Sequence, residues 1–128
     1  MLALGTLKFT EMSEKFDQLT KLVHSQIKHS YVGDIEAESR FECLTFSSSA
    51  NVANFVGLEY LTGRIGDRSG ELILQHVGSI KFGKLESMLN VLSGSGTGEL
   101  VGIRGHGHTK WTESGSQVSK VSLEYSFD

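Results

Sequence analysis

A carboxylate and an imidazole turned together into a dry interior can hold a ligand's polar group or pass a proton. Glu59 and His76 are the pair this sequence offers for such chemistry. They stand in two segments, Phe55–Ile65 and Gly70–Phe82, that read as one β-hairpin around the loop Gly66-Asp-Arg-Ser69. Opposing Ile65 to Gly70 sets Arg64 against Glu71, Tyr60 against Gln75 and Thr62 against Ile73 on a wet face, where an opposite-charge pair is favourable. The other face opposes Leu61 to Leu74, Gly63 to Leu72, Phe55 to Ile80 and Glu59 to His76, and only the last pair is polar. A second hairpin, closed by Gly83-Lys84 as a type II′ turn, agrees with this choice of inside. It places Lys81 opposite Glu86 outside, and Ile80 opposite Ser87 and His76 opposite Val91 inside. A one-residue slip would turn Leu61, Leu72 and Leu74 to water.

A buried ionised group loses much of its solvation unless it is paired. Pairing favours the imidazolium and lowers the carboxyl pKa, while desolvation opposes both. Three readings of the pair stay open: a ligand contact, an acid/base pair, or a hydrogen-bonded plug of purely structural use.

Other residues with chemical capacity read more plainly. His106 and His108 share one strand face, as a metal-ligand pair would need, but their even positions join Arg104 and Lys110 on the polar outer face, so no metal site is expected. His29 has the parity of Val23, Ile27 and Tyr31 and is either a barrel-mouth residue or a half-buried satisfied histidine. Tyr31 and Tyr125 either present their hydroxyls inward or keep them at the rim. Cys43, the single cysteine, sits among Phe41, Leu44 and Thr45 and reads as a packed small hydrophobe, with no disulfide or cysteine-built zinc site available. The run Ser93-Gly-Ser-Gly96-Thr-Gly98 precedes a strand and lacks the ending and the βαβ setting of a phosphate loop.

The elements that must position these groups are strands. Period-two alternation dominates, and only Thr10–Asp17 suggests a short helical turn. Eight strands are expected, near Leu4–Thr10, Leu19–Tyr31, Ile35–Phe46, Val52–Ile65, Gly70–Phe82, Leu85–Leu92, Thr97–Trp111 and Gln117–Phe127, with Glu113–Ser116 turning into the last. Short turns make the order up-and-down and antiparallel, and eight strands close with room for side chains or one small ligand. A two-sheet sandwich is the competing architecture. Fifteen glycines and no proline suit a closed sheet, where proline would cost a ladder donor. The chain of 128 residues is one domain's length, and its net charge of −3 argues against a nucleic-acid partner. The N-terminus lacks the basic region and apolar core of a signal peptide, and no apolar run is long enough to span a membrane, so a cytoplasmic protein is expected.

Several of these segments carry a resemblance. Phe55-Val-Gly-Leu-Glu59, Gly66-Asp-Arg-Ser-Gly70, Leu74-Gln-His76, Gly94-Ser-Gly-Thr-Gly-Glu-Leu100 and Gly102-Ile-Arg-Gly105 together resemble the bacterial domain-of-unknown-function 3224 family, from Gly5 to Phe127. The resemblance implies an all-β, closed eight-stranded antiparallel barrel of the allene-oxide-cyclase type. Barrels of that type bind apolar small molecules and steer a cyclisation or coupling without a cofactor. Function is not fixed by fold, and three expectations follow. The first is a binding protein for a small, largely apolar molecule, with Glu59 and His76 as polar contacts and Phe41, Phe55, Leu61, Leu74, Val91 and Tyr125 as apolar wall. The second is a cofactor-free isomerase or cyclase moving a proton with Glu59 or His76. The third is a filled structural or interaction module. No cofactor is expected, and a homo-oligomer would use outward apolar residues such as Ile73, Val77 and Leu92.

Overall fold

Alternation carries most of the chain into strand, as the computed structural model, which describes residues 1–111 and 118–128, shows. The strands are β1 (Leu2–Phe16), β2 (Leu22–Gly33), β3 (Ile35–Ser49), β4 (Val52–Ile65), β5 (Arg68–Lys81), β6 (Lys84–Val91), β7 (Ile103–Trp111) and β8 (Val118–Phe127). They pair in sequence order, all antiparallel, and β1 closes on β8 through pairs such as Ala3–Leu123 and Gly5–Val121. The sheet is therefore a closed eight-stranded barrel and not a sandwich. The expected turn at Glu113–Ser116 lies outside the described residues. Among the described residues no helix is long and apolar enough to cross a membrane.

Three local expectations are corrected. Thr10–Asp17 is not helical: β1 runs through to Phe16 with a bulge between Phe9 and Glu11. The bulge moves the inward parity from odd to even, so that Phe9 and Met12 both reach the interior. The resulting spacing of Phe9, Met12 and Phe16 imitates a helical stripe. The seventh strand begins at Ile103 and not at Thr97, because Gly98–Leu100 forms a single 3-10 turn. Gly98 and Gly102 take positive φ of 61° and 82°, which carries the chain out of the ladder and across the barrel end. The segment is tied there by Thr97 N–H donating to Glu71 O at 2.9 Å and Ile73 N–H donating to Ser95 Oγ at 3.0 Å. Leu100 is thereby driven inside as a fully buried stopper.

The third correction is register. β4 and β5 are joined by two residues, with Ile65 opposite Arg68, so Glu59 opposes Leu74 and His76 opposes Gly57. β5 and β6 turn at Phe82-Gly83, both at positive φ (51° and 78°), as in a type I′ turn, with Lys81 opposite Lys84. Both hairpins are two residues off the expected pairing: the first closes with a loop of two residues in place of four, which matches strand twist better, and the second moves its two-residue turn back by one position. Arg64–Glu71 and Lys81–Glu86 are consequently not direct cross-strand pairs, and Arg64 instead approaches Glu36 at 3.7 Å. A two-residue shift preserves faces, so every inward assignment on β4 and β5 survives.

The interior is divided. One half, stopped by Leu100, is packed solid with Ala3, Ile35, Leu61, Ile65, Leu72, Leu89, Ile103 and Leu123. The other half holds a smaller cluster of Phe41, Cys43 and Phe55, edged by Ile27, Ile80 and Leu85. Outside, Leu44, Val56, Val77 and Met88 oppose one another across β3 to β6 and are 43–68% exposed. Ile73 and Leu92 are half-buried, since the segment after β6 folds back over β5.

Candidate functional site

Between the two halves lies a polar layer centred on Glu59, which is completely buried. Inward parity on four adjacent strands brings its partners together: His29 and Tyr31 from β2, Ser39 from β3 and His76 from β5. His76 Nε2–H donates to Glu59 Oε1 at 2.6 Å, and His29 Nδ1–H donates to Oε2 at 3.0 Å. The Tyr31 hydroxyl lies 2.9 and 2.8 Å from the two carboxylate oxygens, and the Ser39 hydroxyl donates to Oε2. Four side chains thus offer hydrogens to one carboxylate, which fixes both imidazole tautomers on the Glu59 side.

The electrostatics follow from that saturation. Burial by itself would raise the Glu59 pKa, but hydrogen bonds from His29 and His76, and the charge of these rings when protonated, outweigh it, leaving the carboxyl well below its usual range. Tyr31 is pushed well above the usual phenol value, first by burial and then by the Glu59 charge and hydrogen bond, so it remains a donor. Glu59 is an ionised anchor. The bond geometry gives each imidazole one nitrogen for that anchor, and among the described residues the other (Nε2 of His29, Nδ1 of His76) has no protein partner.

Both imidazoles form part of the wall of a cavity of about 460 Å³ that fills the unplugged half of the barrel. Its wall includes Leu7, Ile27, Phe41, Phe55, Ile80 and Leu85, with Ser87 and Thr109 hydrogen-bonded to each other at 2.5 Å. Phe41 stands between the imidazoles, its ring centroid 5.9 Å from that of His29 and 4.5 Å from that of His76. Room for that ring comes from Gly57, where a methyl group would sit 2.6 Å from Phe41 Cε1 and collide with the Glu42 carbonyl. Trp111, also on the wall, keeps a buried indole N–H without a partner among the described residues.

The expected site residues therefore separate. Glu59 and His76 meet, although diagonally and not directly opposed, and Glu59 lies behind the imidazoles instead of on the cavity wall. Phe41 and Phe55 line the cavity. Leu61, Leu74 and Val91 belong to the solid half, and Tyr125 packs against that half beside Phe127, at a centroid distance of 6.0 Å. His29, Tyr31 and Ser39 complete the Glu59 shell. Parity placed His29 and Tyr31 on the correct face, but only the barrel's curvature brings β2 within reach of β4. His106 and His108 point outward and are exposed, and no cluster of three metal-ligating side chains exists among the described residues.

Cys43 lines the same cavity. Burial is the main cause that raises its thiol above its ordinary value near 9, against lowering hydrogen bonds from Thr45 and Ser25. Alkylation by iodoacetamide is therefore expected to reach its plateau at a higher pH in the folded protein than in the urea-unfolded chain, and an occupant of the cavity should slow it at every pH. A plateau at the same pH in both states would contradict the placement.

Comparison with known proteins bears on kinship more than on chemistry. No match is found among curated proteins. The crystal structure of a protein of unknown function from the DUF3224 family of Shewanella oneidensis MR-1 superposes with a TM-score of 0.80 at 24% identity, covering 100% of this chain and 98% of that one. That likeness supports the barrel. The family profile described as "Protein of unknown function (DUF3224)" matches residues 4–125. With nearly the whole sequence covered by that match, the chain belongs to the DUF3224 family.

Proposed function

We propose that this protein binds a small, largely apolar molecule in the barrel cavity, with His29 and His76 meeting its polar group. One observation carries the reading: a predominantly apolar chamber whose buried end exposes two imidazoles, each held by Glu59 and each with a nitrogen to spare. Pockets of this size, apolar with a few convergent polar groups, are typical of small-molecule sites. A purely structural role would need no chamber, since the plugged half already supplies a solid core. The resemblance to allene-oxide-cyclase-type barrels points the same way. Native mass spectrometry of freshly purified protein tests it. The expected result is an adduct of small-molecule mass that is released on denaturation. Protein that carries no adduct and also takes up no apolar dye would overturn the reading.

The Glu59-oriented imidazoles favour a second reading, cofactor-free proton transfer. A carboxylate that fixes the tautomer of a histidine leaves the opposite nitrogen as a base, and a cavity that holds the substrate in a reactive shape adds to the rate. Glu59→Gln separates the two. An isomerase or cyclase loses turnover while it retains ligand, and a binding protein shows no turnover in either form.

A further inference from the structure

The polar group of the ligand can be specified further. Among the described residues lining the cavity there is no Lys or Arg, so His29 and His76 are the cation-forming groups of the wall. They share a single carboxylate, Glu59, which matches one imidazolium and no more. Among the described residues lining the buried end, no other group supplies a second negative charge. Tyr31 is held as a phenol and Cys43 as a thiol by burial. Ser39, Ser87 and Thr109 are neutral and already hydrogen-bonded. Glu14, the acid among the described wall residues, is exposed on β1.

Resting on the binding reading above, we infer that the ligand is an amphiphilic monocarboxylic acid, its apolar body in the chamber and its carboxylate between the free nitrogens of His29 and His76. Two imidazoliums and two carboxylates then form a neutral buried group in which each charge has a partner. A carboxylate in water stays ionised above about pH 5, so at neutral pH the ligand itself brings the negative charge that Glu59 alone does not supply to two imidazoles.

Calorimetric titration of the full chain with decanoate and with 1-decanol at pH 7.5 reads this directly. Decanoate should bind about ten-fold or more tighter than decanol, the scale of a charge-assisted hydrogen bond. Decanol binding equally well would overturn the acid head group and leave the binding reading standing. If decanoate, decanol and the neutral dye Nile red all fail to bind, both readings fall.

Two variants localise the effect. His29→Asn and His76→Gln each keep an amide N–H where the ring donated to Glu59 but remove the cavity nitrogen. Each should weaken decanoate by about ten-fold and leave decanol within about three-fold. Parallel loss of both probes would assign the histidines to packing and overturn the proposal. Should either variant fail to fold, the contrast between decanoate and decanol on the wild-type chain still decides it.

Discussion

Glu59→Ala should lower the folding stability of this barrel by about 3–5 kcal/mol, the range seen when one partner of a buried ionic group is removed. The wild-type carboxylate, completely enclosed by protein, accepts hydrogens from His29, Tyr31, Ser39 and His76. Alanine removes the acceptor and leaves four donors facing a void. Urea unfolding of both proteins measures the difference, and a loss under about 1 kcal/mol, the scale of an exposed ion pair, would show that the layer is wet. Acid adds an independent check. The folded carboxyl is held well below its ordinary range, whereas in the unfolded chain it titrates near about 4.3. Because the folded value is the depressed one, the stabilisation is complete above the unfolded value and drains away as pH falls below it toward the folded value. Wild-type stability should therefore drop from about pH 5 downward more steeply than that of Glu59→Ala. Carboxylates common to both proteins cancel in the comparison.

That layer shows where reading a sequence succeeds and where it stops. Parity alone told which residues of β4 and β5 point inward, and parity is immune to the two-residue register shift found in both hairpins. The strand count followed from the same alternation, whereas closure over a two-sheet sandwich is decided by the pairing of β1 with β8. Which inward residues touch was not legible, because it depends on curvature and shear. His29 and Tyr31 are nearly thirty positions from Glu59 and reach it across an intervening strand, where Ser39 also contributes. Nor could alternation show that the interior is unequal. The glycine-rich run after β6 read as loop and strand, yet its positive-φ turns fold it over one end and stop that end with Leu100. Leu61, Leu74 and Val91 were therefore expected to line a ligand space and instead fill a core, while a bulge at Thr10 sends Phe9 and Met12 to the open half.

This division makes the second large effect a test of how independent the halves are. Leu100→Ala should cost about 2–5 kcal/mol, as for other fully buried leucines truncated to alanine, since its side chain is wholly enclosed by the solid cluster. Across β2 to β5 the Glu59 layer stands between the cavity and that cluster, joined by hydrogen bonds that do not use the stopper, and Leu7 on β1 is shared by both. Stability should fall while the alkylation rate of Cys43 under native conditions stays near the wild-type value, because the thiol faces the opposite half. Faster alkylation in step with the lost stability would mean that the barrel opens as one unit and that the polar layer is no barrier. Faster alkylation with stability unchanged would place the stopper over the cavity itself, contrary to the packing. The expected outcome, a weakened barrel with an undisturbed chamber, follows from a fold that assigns cohesion to one end and leaves the other free to hold a guest.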